Sequence, residues 1–186
     1  MKIEIISGSP RTHSASHRVA LHLQKVLQEK TDHEVGIIDV RDYQLAPVHE
    51  VFTAPDLAPE PYRDLATRMF EAQAFVLVTP EYNGSYTSDL KNLLDHFPKQ
   101  SHKVFGLVTA SPGALGGMRA AMQLQQLVFA LFGIGSPHML ITPHVEKKFD
   151  AEGNLLEASF HKSIEVFTTE FLWLAEKVVE EKIAAV

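Results

Sequence analysis

A single doubly wound α/β domain, a parallel sheet with helices packed on both faces, is what this sequence predicts, and three observations carry the prediction. Five short apolar runs alternate with five longer stretches of 3.6-residue period along the whole chain. The third run, Phe75-Val76-Leu77-Val78, is apolar on both faces, as a strand covered by helices on both sides must be. Consecutive βα units of this kind close by right-handed crossovers into one twisted sheet. With 186 residues, 45% of them hydrophobic, the chain can bury a core as one domain spanning residues 1–186.

Taken in order, strands are expected at residues 2–7, 34–39, 74–79, 103–109 and 137–142. Helices are expected at 16–30, 61–72, 87–96, 117–132 and 158–182. Residues 44–60, broken by Pro47, Pro55 and Pro59, read as a surface loop that leans over the site. The chain has no cysteine, so disulfides, thiolate metal sites and thiol catalysis are excluded. Redox chemistry would have to come from a bound cofactor. The net charge of −6 disfavours nucleic acid or an anionic membrane as partner. No apolar run approaches the ~18 residues of a membrane span, and the chain opens directly on a strand-like segment, so a cytoplasmic protein is expected.

In a doubly wound sheet, ligands sit beyond the carboxyl ends of the strands, where strand order reverses. The loops after strands one, three and four therefore matter most. The first is Ser7-Gly8-Ser9-Pro10-Arg11-Thr12-His13-Ser14-Ala15-Ser16. A strand-to-helix turn offers free N–H groups and the positive end of a helix dipole. Serine hydroxyls and Arg11 add further donors. Neither the P-loop spacing nor Gly-x-Gly-x-x-Gly is present, so a phosphomonoester suits this loop better than a pyrophosphate. Alone, the segment also reads as an ordinary βα turn with an N-cap serine.

The second loop, Thr79-Pro80-Glu81-Tyr82-Asn83-Gly84-Ser85-Tyr86, combines flat aromatic surface with a turn tolerant of positive φ. It suits a planar heteroaromatic ring, or simply a turn with an aromatic lid and a capping Thr87 or Ser88. The third, Thr109-Ala110-Ser111-Pro112-Gly113-Ala114-Leu115-Gly116-Gly117, lets backbone N–H groups approach a ligand. By itself a glycine-rich turn speaks more often of packing than of function.

Together these segments resemble the NADPH-dependent FMN reductase family of flavodoxin-like enzymes, which includes quinone, chromate and some azo reductases. Gly8, Ser9, Arg11 and Ser14 match its Gly-Ser-x-Arg-x-x-Ser pattern; Pro80, Glu81, Tyr82 and Asn83 match Pro-Glu-Tyr-Asn, followed by Leu90-Lys91-Asn92. Ser111, Gly113, Gly116 and Gly117 match Ser-x-Gly-x-x-Gly-Gly. The resemblance spans about residues 1–145; Ser16 stands where the family often has asparagine, and Thr87-Ser88 where it often has Pro-Gly.

The resemblance implies a flavodoxin-like sheet of order 2-1-3-4-5. It implies FMN with its phosphate at Ser9, Arg11, Ser14 and Ser16, and its ring held by Pro80, Glu81, Tyr82, Asn83, Gly84, Ser111, Gly113, Gly116 and Gly117. NADPH or NADH would supply hydride, passed on to a quinone, azo compound, metal oxyanion or flavin. The alternative is a flavodoxin-type carrier or redox-sensing module without nicotinamide turnover; Arg11 and the Pro-Glu-Tyr-Asn segment favour the reductase. The flavin carries the chemistry, so no catalytic acid or base is expected, Glu81 included. No metal site is expected either: His13 and His17 stand four apart, without a carboxylate at ligand spacing. Trp173, with Phe167 and Phe171, reads as core. Phe129 and Phe132, with the third helix from Leu90 to Phe97, read as a self-complementary patch for a homodimer or homotetramer.

Overall fold

The computed structural model describes residues 1–184, and side chains through Glu181. Strands β1 (Lys2–Ser7), β2 (Glu34–Asp39), β3 (Ala74–Pro80) and β4 (Val104–Ser111) alternate with helices α1 (Ala15–Lys30), α2 (Arg63–Glu71), α3 (Ser88–Asp95) and α4 (Met118–Ala130). Two short strands, β5 (Ile134–Gly135) and β6 (Leu140–Pro143), precede a one-turn helix α5 (Val145–Lys148) and the long α6 (His161–Ala184). All pairings are parallel, in the order β2-β1-β3-β4-β5, with β6 also on β4. The flavodoxin-like order 2-1-3-4-5 is therefore what forms.

Strand alternation divides the apolar residues between two cores. From β1, β3 and β4, the residues Ile3, Ile5, Ala74, Val76, Val78, Val104 and Val108 meet α1 and α6, including Leu23, Phe167 and Phe171. Ile6, Phe75, Leu77, Phe105 and Leu107 meet the other layer, including Leu65, Met69, Leu93 and Leu124. Because β3 contributes to both faces, it is buried from Ala74 to Thr79.

Three expectations change and one is narrowed. The fifth strand is not continuous over 137–142: Ile134 and Gly135 pair with Val104 and Phe105, the chain leaves the edge around Pro137, and Leu140–Pro143 rejoins at Val108–Ser111. A proline cannot donate to the ladder, so the break falls there. Residues 44–60 run along the surface as expected but lie against α3, with Phe52 buried against Tyr62, His96 and Phe97. Asn92 holds the segment to α3 by donating to the carbonyls of Leu45 and Ala46 and accepting from Val48 N–H. Trp173 is not core: it is 58% exposed, while Phe167 and Phe171 are buried. The apolar residues of the third helix, Leu90, Leu93, Leu94 and Phe97, are spent in the core rather than on a surface patch.

Candidate functional site

Three loops converge at the carboxyl ends of β1, β3 and β4. Ser14 is the N-cap of α1, its hydroxyl accepting from His17 N–H at 3.1 Å and standing 3.0 Å from the Ser16 hydroxyl. First-turn N–H groups of a helix have no intrahelical acceptor, and those of Ala15 and Ser16 have none among the described residues. They open onto a pocket of about 100 Å³ lined by Ser9, Arg11, His13, Ser14, Ala15, Ser16, Pro80, Tyr82, Ala110, Pro112 and Glu146. The structure thus brings together the four residues of the phosphate reading with Pro80 and Tyr82. A larger groove of about 440 Å³ lies away from this convergence, between Pro47 and the exposed side of α3.

A network beneath the first loop was missed from the sequence. Ser7 Oγ lies 2.9 Å from His17 Nδ1, and that nitrogen is 3.1 Å from Asp39 Oδ2. Arg41 clasps Asp39 and also donates to the Thr12 carbonyl at 3.0 Å, fastening the loop from the β2 side. Burial pushes the His17 pKa down, against the opposing pull of Asp39. The position of Asp39 at a strand's carboxyl end was the available signal. Thr87 closes the other side: it caps α3, accepting from Leu90 N–H, and donates to the Gly8 carbonyl.

The loop after β3 is a tight hairpin. Tyr82 and Ser85 exchange backbone hydrogen bonds of 2.8 and 3.0 Å, and Asn83 and Gly84 between them have φ of 50° and 83°. Two positive values make a type I′ turn, which is why Asn-Gly stands there. The Arg11 guanidinium lies 4.7 Å from the centroid of the Tyr82 ring, a cation–π contact that joins the first loop to this one. The Tyr82 hydroxyl is buried without a hydrogen-bond partner among the described residues.

The loop after β4 relies on backbone. The Ser111 hydroxyl accepts from Gly113 N–H at 3.0 Å. Gly116 and Gly117 have φ of 62° and 88°; a Cβ on Gly116 would lie 2.7 Å from the Pro143 nitrogen, and one on Gly117 2.8 Å from Thr109 Cβ. A Cβ on Gly113 would meet nothing nearer than Ser111 Oγ at 3.4 Å, so that stretch of chain is open to approach. Glu81 turns away from the pocket to α4. Its carboxylate accepts from the N–H groups of Arg119 at 3.1 Å and Ala120 at 3.4 Å and pairs with the Arg119 guanidinium. No group of three or more His, Asp or Glu side chains suited to a metal ion occurs among the described residues.

The order of the sheet and the three converging loops define a flavodoxin-like α/β protein. The profile of the NADPH-dependent FMN reductase family matches residues 1–146, and the chain belongs to that family. It is an NAD(P)H-dependent oxidoreductase that uses FMN. An FMN-dependent NADPH-azoreductase of Staphylococcus saprophyticus is 33% identical over 159 residues, covering 81% of each chain. A probable NADPH:quinone oxidoreductase 2 of Oryza sativa subsp. japonica is 27% identical over 172 residues, 88% of this chain and 83% of its own. Among solved structures, the flavoenzyme NAD(P)H:(acceptor) oxidoreductase FerB of Paracoccus denitrificans superposes with a TM-score of 0.77 at 24% identity, covering 95% of this chain and 97% of its own. A flavodoxin of Pseudomonas aeruginosa reaches 0.60 at 19% identity, over 92% of this chain and 99% of its own. Both structures show the shared fold.

Proposed function

We propose that the FMN phosphate sits in the pocket of Ser9, Arg11, Ser14 and Ser16, and that the isoalloxazine lies across the open surface between Pro80–Gly84 and Ser111–Gly117. The orphaned Tyr82 hydroxyl in the wall of a pocket rich in donors carries this reading: a buried polar group without a partner is costly. Phosphate or ribityl oxygens would satisfy it. At about 100 Å³ the pocket has room for a phosphate group and not for a whole flavin, so the ring belongs outside it.

FMN, when bound, supplies the hydride chemistry, taking it from NADPH or NADH and passing electrons to a small acceptor. The acceptor class is a quinone, an azo compound, a metal oxyanion or free flavin. The chain's own residues bind and orient. Ser9, Ser14, Ser16 and Arg11 hold the phosphate; the Tyr82–Ser85 hairpin and the N–H groups around Gly113 frame the ring. No side chain is assigned an acid–base role, since the Glu81 carboxylate is engaged at α4. Steady-state NADPH oxidation with a quinone acceptor tests the acceptor class. FMN-loaded protein that oxidises NADPH but leaves the quinone unreduced would move the acceptor to another of these classes.

No helix among the described residues is long and apolar enough to cross a membrane, and we place the protein in the cytoplasm. We also propose a homodimer or a larger homo-oligomer. Leu115, Met118, Met122, Phe129 and Phe132 are all exposed along α4 and its flanks, with Phe129 at 73%. The sequence from Ala120 to Pro143 contains no Asp, Glu, Lys or Arg. Depletion of charge with enrichment of Met and Phe is the composition of an interface centre. Because Leu115 and Met118 adjoin the third loop, a second copy there would wall the ring. Light scattering at low micromolar concentration should give at least a dimer, and Phe129→Asp should give a monomer.

A further inference from the structure

Helix α4 starts without a cap of its own. Gly117 occupies the N-cap position in a left-handed conformation and offers no side chain, where Ser, Thr, Asp or Asn would ordinarily accept from the first turn. The acceptor comes instead from another loop. Glu81 Oε2 takes the N–H groups of Arg119 and Ala120, and Oε1 lies 3.4 Å from the Arg119 guanidinium. The Glu81 side chain is only 16% exposed, whereas that of Arg119 is 69% exposed. Arg119 also covers the hairpin, its Cδ standing 3.7 Å from where a Cβ on Gly84 would be.

Two consequences follow from this latch. It fixes the loop after β3 against the loop after β4 through a single carboxylate, so the gap between them depends on Glu81. It also sets a nearly buried negative charge against the helix N-terminus, where the dipole places about half a positive elementary charge. An anion next to α4 would otherwise be favoured by that dipole, and Glu81 offsets it. Reduction of FMN by two electrons with one proton adds one negative charge to the ring, so the charge balance at the start of α4 bears unequally on the oxidised and reduced forms.

We propose that Glu81 is a positioning residue whose carboxylate, by capping α4 from the neighbouring loop, lowers the preference of the site for reduced over oxidised FMN. This rests on the placement of the ring between these two loops. Arg119 acts in the opposite sense, by partly neutralising Glu81.

Glu81→Gln and Arg119→Ala, each loaded with FMN, test it. Glutamine keeps an acceptor oxygen for the two N–H groups and removes the charge. The affinity for oxidised FMN is read by absorbance titration, and the midpoint potential by dithionite titration against a reference dye. For Glu81→Gln the ratio of reduced to oxidised affinity is expected to rise about tenfold, a potential about 30 mV higher for a two-electron couple. For Arg119→Ala the ratio should fall by a smaller factor, because an exposed charge is screened. Ratios unchanged in both variants, or moving in the same direction, would overturn the proposal while leaving the flavin site in place. Wild-type protein that takes up no FMN would remove the ring placement and the proposal with it.

Discussion

The loop after β1 and the two loops after β3 and β4 meet at one pocket, yet they are built by opposite means. The first is a matter of side chains: hydroxyls of Ser9, Ser14 and Ser16 and the Arg11 guanidinium face the pocket over a floor of Ser7, His17, Asp39 and Arg41. The other two are matters of backbone, a type I′ hairpin at Asn83-Gly84 and a turn in which Gly116 and Gly117 hold positive φ. Donor side chains at a helix N-terminus recognise charge, whereas close-packed main chain presents a flat surface and recognises shape. The difference predicts that substitutions in the first loop change affinity while the fold survives, and that substitutions in the third damage the fold itself.

The largest effect should therefore come from Gly116→Ala. Its φ of 62° and the Pro143 nitrogen 2.7 Å from the added Cβ leave no room for backbone relaxation. A stability loss of about 3 kcal/mol in chemical denaturation is expected, from left-handed strain plus overpacking. A variant of wild-type stability would show that the loop shifts freely, and the contrast with the first loop would disappear.

Arg11→Ala should show the other behaviour. Arg11 is exposed, and its one assigned side-chain contact is with the Tyr82 ring, so the apo-protein should keep its stability. FMN binding should weaken by about 1.5–3 kcal/mol, the scale of a charge-assisted hydrogen bond. Absorbance titration reads it; an unchanged dissociation constant would put the phosphate elsewhere.

Tyr82 lies where the two kinds of loop touch, and Tyr82→Phe should move its two readouts in opposite directions. Removing an unpartnered buried hydroxyl should leave the apo-protein as stable or stabilise it slightly. FMN affinity should fall by about 0.5–1.5 kcal/mol, a neutral hydrogen bond. Equal affinities would mean that the ligand does not reach this hydroxyl.

The same contrast explains what could be read from the sequence. β1 and β2 fall at residues 2–7 and 34–39 as expected, because each is a short run rich in Ile and Val, and the single Gly36 in β2 is held in register opposite Glu4 of β1. The fifth strand was misjudged because its break depends on Gly133, Gly135 and Pro137 acting against an edge supplied by β4, a tertiary matter. Trp173 stands two residues beyond Phe171, about 200° around the helix, so it faces away from the core that Phe167 and Phe171 enter. For the site, motif spacing put Ser9, Arg11, Ser14, Ser16, Pro80 and Tyr82 into one pocket. It could not find Arg41, nor that Thr87, expected only as a helix cap, also reaches Gly8, because these contacts with Thr12 and Gly8 join residues far apart in the chain. Nor did it show that Glu81 faces α4, because that depends on the missing cap at Gly117.

The smallest effect expected concerns the floor of the first loop and asks whether it is held by neutral hydrogen bonds or by an ion pair. His17 faces Ser7 and Asp39, with Arg41 and Asp42 nearby, and burial outweighs Asp39 to lower its pKa. Folding favours the neutral form of a histidine whose folded pKa lies below its unfolded value, about 6.5. Below that pH the unfolded chain binds more protons, so the stability contributed by neutral His17 is complete above about pH 6.5 and is lost as pH falls through the folded pKa. His22, also lowered by burial and bonded to the Gly153 carbonyl, adds to the same slope. Urea denaturation of the apo-protein at pH 7.5 and 5.5 should show lower stability at the acid end, and His17→Gln should reduce the drop with His22 left in place. If His17→Gln instead enlarges the drop, protonated His17 is pairing with Asp39, and the first loop stands on an ion pair that strengthens as pH falls.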